Sequence, residues 1–310
     1  MLKSYWTPIK DSRRSCQVRA KRNVWDENLK QLVAIRFTEQ FRLPRKKGKE
    51  RFLLESKFEF AKELVKKAGQ YILDHMQEDL RVETKSSPTD LVTRLDKEVQ
   101  ELLVGEILSR YPEDKICAEE GCLRASVQEG KVWVIDPIDG TNNFVAQQED
   151  FAVMMAYFEN GQGQFGLIYD VVKGDCYHGG GKFPVCRNNK PLAPFQEKPL
   201  GDFLIAGNSG MLETNEWGLA DLSRAVLGVR VYGSAAISFA KVLSGRLLTY
   251  ITYLQPWDYA AASILGESLG YRLLTVSGEP VDFQTRQPVM LVPIEMQEEI
   301  QSYIYERKEN

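Results

Sequence analysis

The stretch Trp133-Val134-Ile135-Asp136-Pro137-Ile138-Asp139-Gly140-Thr141 constrains this chain more than any other. Val132 to Ile135 are consecutive apolar residues, the pattern of a buried strand, and Pro137 lacks the N–H that a strand ladder needs. A sharp turn is therefore expected at Pro137, with Asp136 and Asp139 inside it. Three residues apart, with Gly140 freeing the backbone, the two carboxylates can point into one small volume, where they would repel without a cation. Standing alone, a D-x-x-D-G segment reads more simply as a strand-to-helix turn with Asp139 or Thr141 as the cap. Acids elsewhere in the chain decide between these readings.

Glu119-Glu120-Gly121 closes a second short apolar strand, Ile116 to Ala118, and Pro256-Trp257-Asp258 opens a predicted helix in which Asp258 is a first-turn or N-cap acid. Lys85 to Asp96 forms a further patch, where Pro88 and Asp90 mark a turn and Asp96 enters the next helix. Glu119, Asp136, Asp139 and Asp258 together would make a site of carboxylates with hardly any nitrogen or sulfur donors. Such hard-oxygen sites select Mg²⁺ or Mn²⁺ over zinc, and Mg²⁺ keeps waters that a substrate phosphate can replace. Two adjacent Mg²⁺ ions can clamp the attacking and leaving oxygens of an in-line displacement, while free amides at Gly140 and Thr141 would contact phosphate oxygens. Hydrolysis of a phosphate ester follows from that arrangement.

Composition removes competing chemistries. With only His75 and His178, a His-ligated zinc site and a Ser-His-Asp hydrolase are both disfavoured. His75 is expected near a helix C-terminus, as a partner of the helix dipole. Cys16, Cys117, Cys122, Cys176 and Cys186 have no C-x-x-C spacing, so neither a disulfide framework nor a thiolate metal site is indicated. The best apolar run, Phe151 to Phe158, is far shorter than the ~18 residues a membrane span requires. Met1 to Lys10 lacks the pattern of a secretory signal, and a cytoplasmic location is expected.

Residues 1–51 carry 15 Lys/Arg against 5 Asp/Glu, whereas the whole chain has 40 against 43, so a basic extension precedes an acidic body. The extension, with a helix-like piece at 25–41, reads as disordered or loosely docked, and an RNA- or membrane-surface-binding arm is the sharper alternative. From residue 52 the pattern becomes orderly. Phe58, Ala61, Val65, Ala68, Ile72 and Met76 predict a helix over 56–77, followed by a helix over 94–110. Strands are expected at 115–118, 132–135, 151–159, 164–172 and 175–179, with Glu159-Asn160-Gly161 as a hairpin turn. The remainder alternates: strand 202–207, helix 215–226, strand 229–232, helix 235–244, strand 247–252, helix 257–269, strands 271–275 and 288–292, and a last helix 294–307. Layered α/β architecture is the consequence.

Lys85 to Asp96, Glu119-Glu120-Gly121, Asp136 to Phe144, Gly233-Ser234-Ala235-Ala236 and Pro256-Trp257-Asp258 together resemble the inositol monophosphatase family of Mg²⁺-dependent, lithium-sensitive phosphatases, over about residues 53–308. The resemblance implies an α-β-α-β-α sandwich, commonly dimeric. It implies that Glu119, Asp136 and the carbonyl of Ile138 bind one Mg²⁺ and that Asp136, Asp139 and Asp258 bind a second. Glu119 would reach a weaker third ion, with Lys85 close by. Asp96 and Thr141 look like the family's dyad, the carboxylate orienting the hydroxyl and the hydroxyl orienting the attacking water. Gly233, Ser234 and Ala235 resemble the substrate-side loop. The acid that grips inositol hydroxyls in animal relatives falls here at Thr252, a neutral hydroxyl, which argues against classical myo-inositol selectivity.

The expected substrate is a small phosphorylated polyol, sugar or nucleotide, inositol-1-phosphate first. Fructose-1,6-bisphosphate and 3′-phosphoadenosine 5′-phosphate rank lower, because Arg187, Lys190 and Arg230 are the only basic residues expected near the site loops. A regulatory protein using the basic arm on RNA is the alternative of another class.

Overall fold

The computed structural model describes residues 46–305 apart from 86, 88 and 89. The helix-like piece at 25–41, nearly all of the basic extension, Cys16, Pro88 and the last residues of the expected final helix lie outside the described residues. Of two compact units, Met1–Leu53 and Leu54–Asn310, the larger holds the elements that bear on function.

The first helix, α1, runs Lys46–His75, and two short strands, β1 (Glu83–Thr84) and β2 (Leu91–Val92), pair before α2 (Arg94–Arg110). There follow β3 (Lys115–Ala118), β4 (Lys131–Asp139), α3 (Thr141–Gln147), β5 (Ala152–Glu159), β6 (Gln162–Asp170), β7 (Asp175–Gly180), β8 (Phe183–Arg187) and β9 (Lys190–Pro191). The rest of the chain gives β10 (Leu204–Gly207), α4 (Ser209–Glu213), α5 (Leu219–Ala225), β11 (Gly228–Arg230), α6 (Ala235–Leu243), β12 (Tyr250–Leu254), α7 (Pro256–Glu267), β13 (Tyr271–Thr275), β14 (Gln287–Pro293) and α8 (Gln297–Gln301).

Strands β3 to β9 form one sheet in sequence order, parallel only between β3 and β4. The second sheet has the order β11-β10-β12-β14-β13. Alternation along β5 sorts its apolar run onto two faces. Val153, Met155 and Tyr157 pack with α1 and α2, while Met154, Ala156 and Phe158 pack with α6 and α7. The opposite side of α6 and α7 meets Leu273, Val289 and Leu291 of the second sheet. Ile205, Ile251, Met290 and Val292 turn to the far face and bury Met211, Leu219, Leu222 and Ile300 from α4, α5 and α8. These packings give the expected α-β-α-β-α sandwich.

The Asn160-Gly161 turn forms as expected, with φ of 49° and 81°, the two positive values that a two-residue hairpin with right-handed strands favours. Pro137 does not end its strand. Strand β4 continues to Asp139 through a bulge, its pairing with β5 stepping from Asp136–Met154 to Asp139–Ala152, so the missing proline N–H falls where the ladder is already interrupted. The helix expected at 215–226 is broken, because Asn215, Trp217 and Gly218 take positive φ values of 54°, 53° and 76°. The strand expected at 247–252 begins later, at Tyr250, and the final helix is reduced to a single 3₁₀ turn and α8.

Candidate active site

Five chain segments converge at one edge of the sandwich. Thr93 caps α2: its hydroxyl accepts from Leu95 and Asp96 amides, and its own N–H donates to Asp96 Oδ2 at 2.8 Å. That capping box buries Asp96 completely at the start of a helix, where the dipole favours a carboxylate. The bulge of β4 presents Asp136 and Asp139, which are 1% and 7% exposed. Gly140 then takes φ 88°, and a Cβ there would lie 2.9 Å from Ser234 Cβ, so only glycine lets β4 swing into α3. Asp258 stands in the first turn of α7, which starts at Pro256, and its Oδ2 accepts from the Gln255 N–H at 2.8 Å.

A ligand oxygen from each of Asp136, Asp139 and Asp258 lies within 4.8 Å of the others. Thr141 Oγ1 lies 3.2 Å from Asp96 Oδ1 and 3.1 Å from the carbonyl of Ile138, so the two residues expected as a dyad are in hydrogen-bond contact. Glu119 is placed beside Asp136 but outside the tight triad, paired with Lys85 at 2.7 Å; Lys85 also reaches Glu120 at 2.6 Å. Gly233, Ser234 and Ala235 lie against Asp139. Ser234 Oγ donates to Asp139 Oδ2, and the amides of Ala235 and Ala236 donate to its two oxygens at 3.1 and 2.9 Å. The first turn of α6 is thus docked on a site carboxylate. Gly233 has φ 70°, and a Cβ would lie 2.7 Å from Asn143 Oδ1.

Burial raises the pKa of Asp136, Asp139, Asp258 and Asp96. Asp136 stands well above the usual carboxylate value, from burial first and then the charges of Glu119, Asp139 and Asp258. Asp258 is raised likewise by desolvation and by Asp139 and Glu119. Asp139 is pushed by burial to about 6, with Ser234, Ala236 and Ala235 pulling the other way. Burial takes Asp96 to about 7 against the hydrogen bonds from Thr93. Burial alone would lower Lys85, but Glu119 and Glu120 outweigh it and raise it. Among the described residues no cationic side chain is ion-paired to Asp136, Asp139 or Asp258. Clustered carboxylates without a counter-charge, and without a His or Cys among them, fit a hard divalent cation.

Sequence reasoning missed several contributors. Asn143 ties the site loops together, donating to the carbonyls of Asp150 at 2.9 Å and Tyr232 at 2.7 Å. Its place in the T-N-N-F run was the available signal. Arg187 pairs with Asp175, Lys190 is exposed on β9, and Arg230 on β11 donates to the Val229 carbonyl. None of them lines the cavity of about 610 Å³ beside Glu119 and Asp258; Arg124 and Arg286 do.

The layered fold and its carboxylate centre define a metal-dependent phosphatase, a phosphoric monoester hydrolase. The chain belongs to the inositol monophosphatase family, whose model matches residues 53–309. It is 42% identical over 238 residues to the inositol-1-monophosphatase of Bacillus subtilis, covering 75% of this chain and 90% of that relative. It is 30% identical to the fructose-1,6-bisphosphatase/inositol-1-monophosphatase of Thermotoga maritima, covering 72% and 86%. A solved structure of inositol monophosphate-bound SaIMPase-II superposes with a TM-score of 0.71 at 29% identity, covering 79% of this chain and 92% of that one. An IMPase/NADP phosphatase complexed with Mg²⁺ and phosphate gives 0.75 at 26% identity, covering 81% and 95%.

Proposed function

We propose that this protein hydrolyses small phosphate monoesters with Mg²⁺, inositol-1-phosphate foremost. The observation that carries the reading is the convergence of Asp136, Asp139 and Asp258 within 4.8 Å, unpaired by any cation among the described residues. The name of the Bacillus subtilis relative and the inositol monophosphate in the SaIMPase-II structure support the choice of substrate. In this reading Glu119, Asp136 and the Ile138 carbonyl would hold one Mg²⁺, and Asp136, Asp139 and Asp258 would hold another. Glu119 would reach a weaker third, with Lys85 close by, and Mn²⁺ could substitute. Bound cations would supply Lewis acidity toward the attacking water and the departing oxygen.

The chain's own residues do the positioning. Thr141 Oγ1 donates its proton to Asp96, leaving its lone pair to accept a hydrogen bond from the water and fix the line of attack. The Gly140 and Thr141 amides donate to phosphate oxygens, and the Gly233–Ala235 turn borders the leaving polyol. The catalytic domain is taken as residues 52–310, working as a cytoplasmic homodimer; the free thiols of Cys117, Cys122, Cys176 and Cys186 suit a reducing compartment. Purified protein is expected to release phosphate from inositol-1-phosphate with Mg²⁺ and to lose activity with lithium or chelator. Inactivity across a panel of phosphate monoesters would overturn the reading.

A further inference from the structure

Helix α7 carries Asp258 in its first turn and Glu267 in its last, about 13 Å apart along the axis. Around that second end lies a cavity of about 380 Å³, a size typical of small-molecule sites. Its floor is apolar, with Phe158 of β5, Ile264 of α7 and Leu273 and Leu274 of β13 all buried, and Phe283 closes one side. The wall at Gly163 is bare backbone, since a Cβ there would meet Ile264 Cγ1 at 2.5 Å. Glu267 and Arg272 stand exposed at the mouth, and among the described residues neither side chain is ion-paired or hydrogen-bonded. A carboxylate and a guanidinium left unpaired over an apolar floor complement a small zwitterion. Its ammonium meets Glu267, its carboxylate meets paired N–H donors of Arg272, and an apolar side chain fills the floor. A free aromatic or branched amino acid has those three parts.

A tied loop joins this cavity to the catalytic end of α7. Asp282 Oδ1 accepts from the amides of Gln284 and Thr285 at 2.7 and 3.0 Å, and Oδ2 accepts from Thr285 Oγ1 at 2.7 Å. The Asp282 N–H donates to Gln287 Oε1 at 3.1 Å, so residues 282–287 are bound into one piece. That piece holds Phe283 at φ 55°, a left-handed backbone that costs a bulky residue energy. The Phe283 ring lies 5.3 Å from Phe158 and 5.5 Å from Tyr259, the neighbour of Asp258. The same piece carries Arg286, which lines the cavity beside Asp258 and Glu119.

We propose that the cavity at the C-terminal end of α7 is an effector site for a free apolar amino acid, which packs against Phe283 and acts on the active site through the 282–287 loop. The ligand favours the loop arrangement it contacts, and that arrangement sets where Arg286 stands. The site itself goes beyond the phosphatase reading; its effect on turnover rests on that reading.

The test begins with isothermal titration of the full-length protein. L-Phenylalanine and L-leucine should bind saturably, whereas 3-phenylpropionate and phenethylamine, each lacking one charge, should bind at least about fivefold more weakly. Glu267→Gln and Arg272→Gln should weaken L-phenylalanine by a similar factor and leave hydrolysis of inositol-1-phosphate without amino acid within about twofold of wild type. In the wild type, saturating L-phenylalanine should shift the KM for inositol-1-phosphate by at least about twofold. No saturable binding of either amino acid, or equal affinity in the wild type and both variants, would overturn the site. Saturable binding with an unchanged KM would overturn the effector role. A protein that binds L-phenylalanine but hydrolyses no phosphate ester would overturn the proposed function and leave the site standing.

Discussion

Asp136 is 1% exposed and sits among like charges, so its ionised form is useful to a cation and costly to the metal-free fold. Asp136→Asn should relieve that repulsion and raise the metal-free Tm by a few degrees, about 2–4 °C per kcal/mol for a domain of this size. It should also abolish the Tm increase given by Mg²⁺ and lower kcat by about 10²-fold or more. Thermal melts with and without Mg²⁺, alongside phosphate release, check this; a wild-type Mg²⁺ response in the variant refutes it. Asp139 is a less clean position for such a change, because Ser234, Ala235 and Ala236 all donate to it. Thr141 has one proton for two acceptors, Asp96 and the Ile138 carbonyl. Thr141→Val should lower kcat about 10²-fold with KM little changed, and Thr141→Ser should restore most of it. Equal kcat in all three proteins would remove Thr141 from the mechanism.

At the scale of elements, the site is made of ends: the bulged end of β4 and the first turns of α2, α6 and α7. Gly140 is the joint among them. Gly140→Ala must place a Cβ 2.9 Å from Ser234 and 3.2 Å from the Asp150 carbonyl at positive φ, and should destabilise the fold by about 1–3 kcal/mol. A urea midpoint equal to wild type would show that the joint can yield. Helix α2 and strand β3 could be read from sequence to the residue, since Thr93 and Asp96 cap one and a short apolar run defines the other. The acids of the centre were legible for the same reason, as each stands where a strand ends or a helix begins. Strand β12 starts later than its apolar run because Leu247 and Leu248 are buried in a bend that reaches β10 through the Leu248 N–H on the Leu204 carbonyl before the chain straightens at Tyr250, and burial rather than strand geometry is what apolar runs record. Arg124 and Arg286 were not legible, since their place depends on Trp257 and Tyr253 brought from distant segments.

Across the whole molecule, the raised acids couple stability to pH and to metal. In the folded chain Asp139 and Asp96 hold protons up to about 6 and about 7, against 3.8 ordinarily. Between these values the folded state binds more protons than the unfolded one, so metal-free stability should fall as pH rises from about 4 to 7. Mg²⁺ prefers the ionised acids, so its stabilisation should be larger at about pH 8 than at about pH 5. Melts of chelator-treated and Mg²⁺-loaded protein across that range decide, and a metal-free Tm that climbs with pH would contradict the coupling. Removing residues 1–45 should leave phosphate release within about twofold, because the family match begins at residue 53 and every placed site residue follows it. The docking of α6 on Asp139, and of α7 beside it, also sets an order of events during synthesis. Strand β4 leaves the ribosome well before α7, so its acids wait through a large part of translation without their third partner. A nascent chain offers no selective metal site, and the choice of ion is deferred to the finished fold, where donor type and spacing rather than first arrival decide which cation stays.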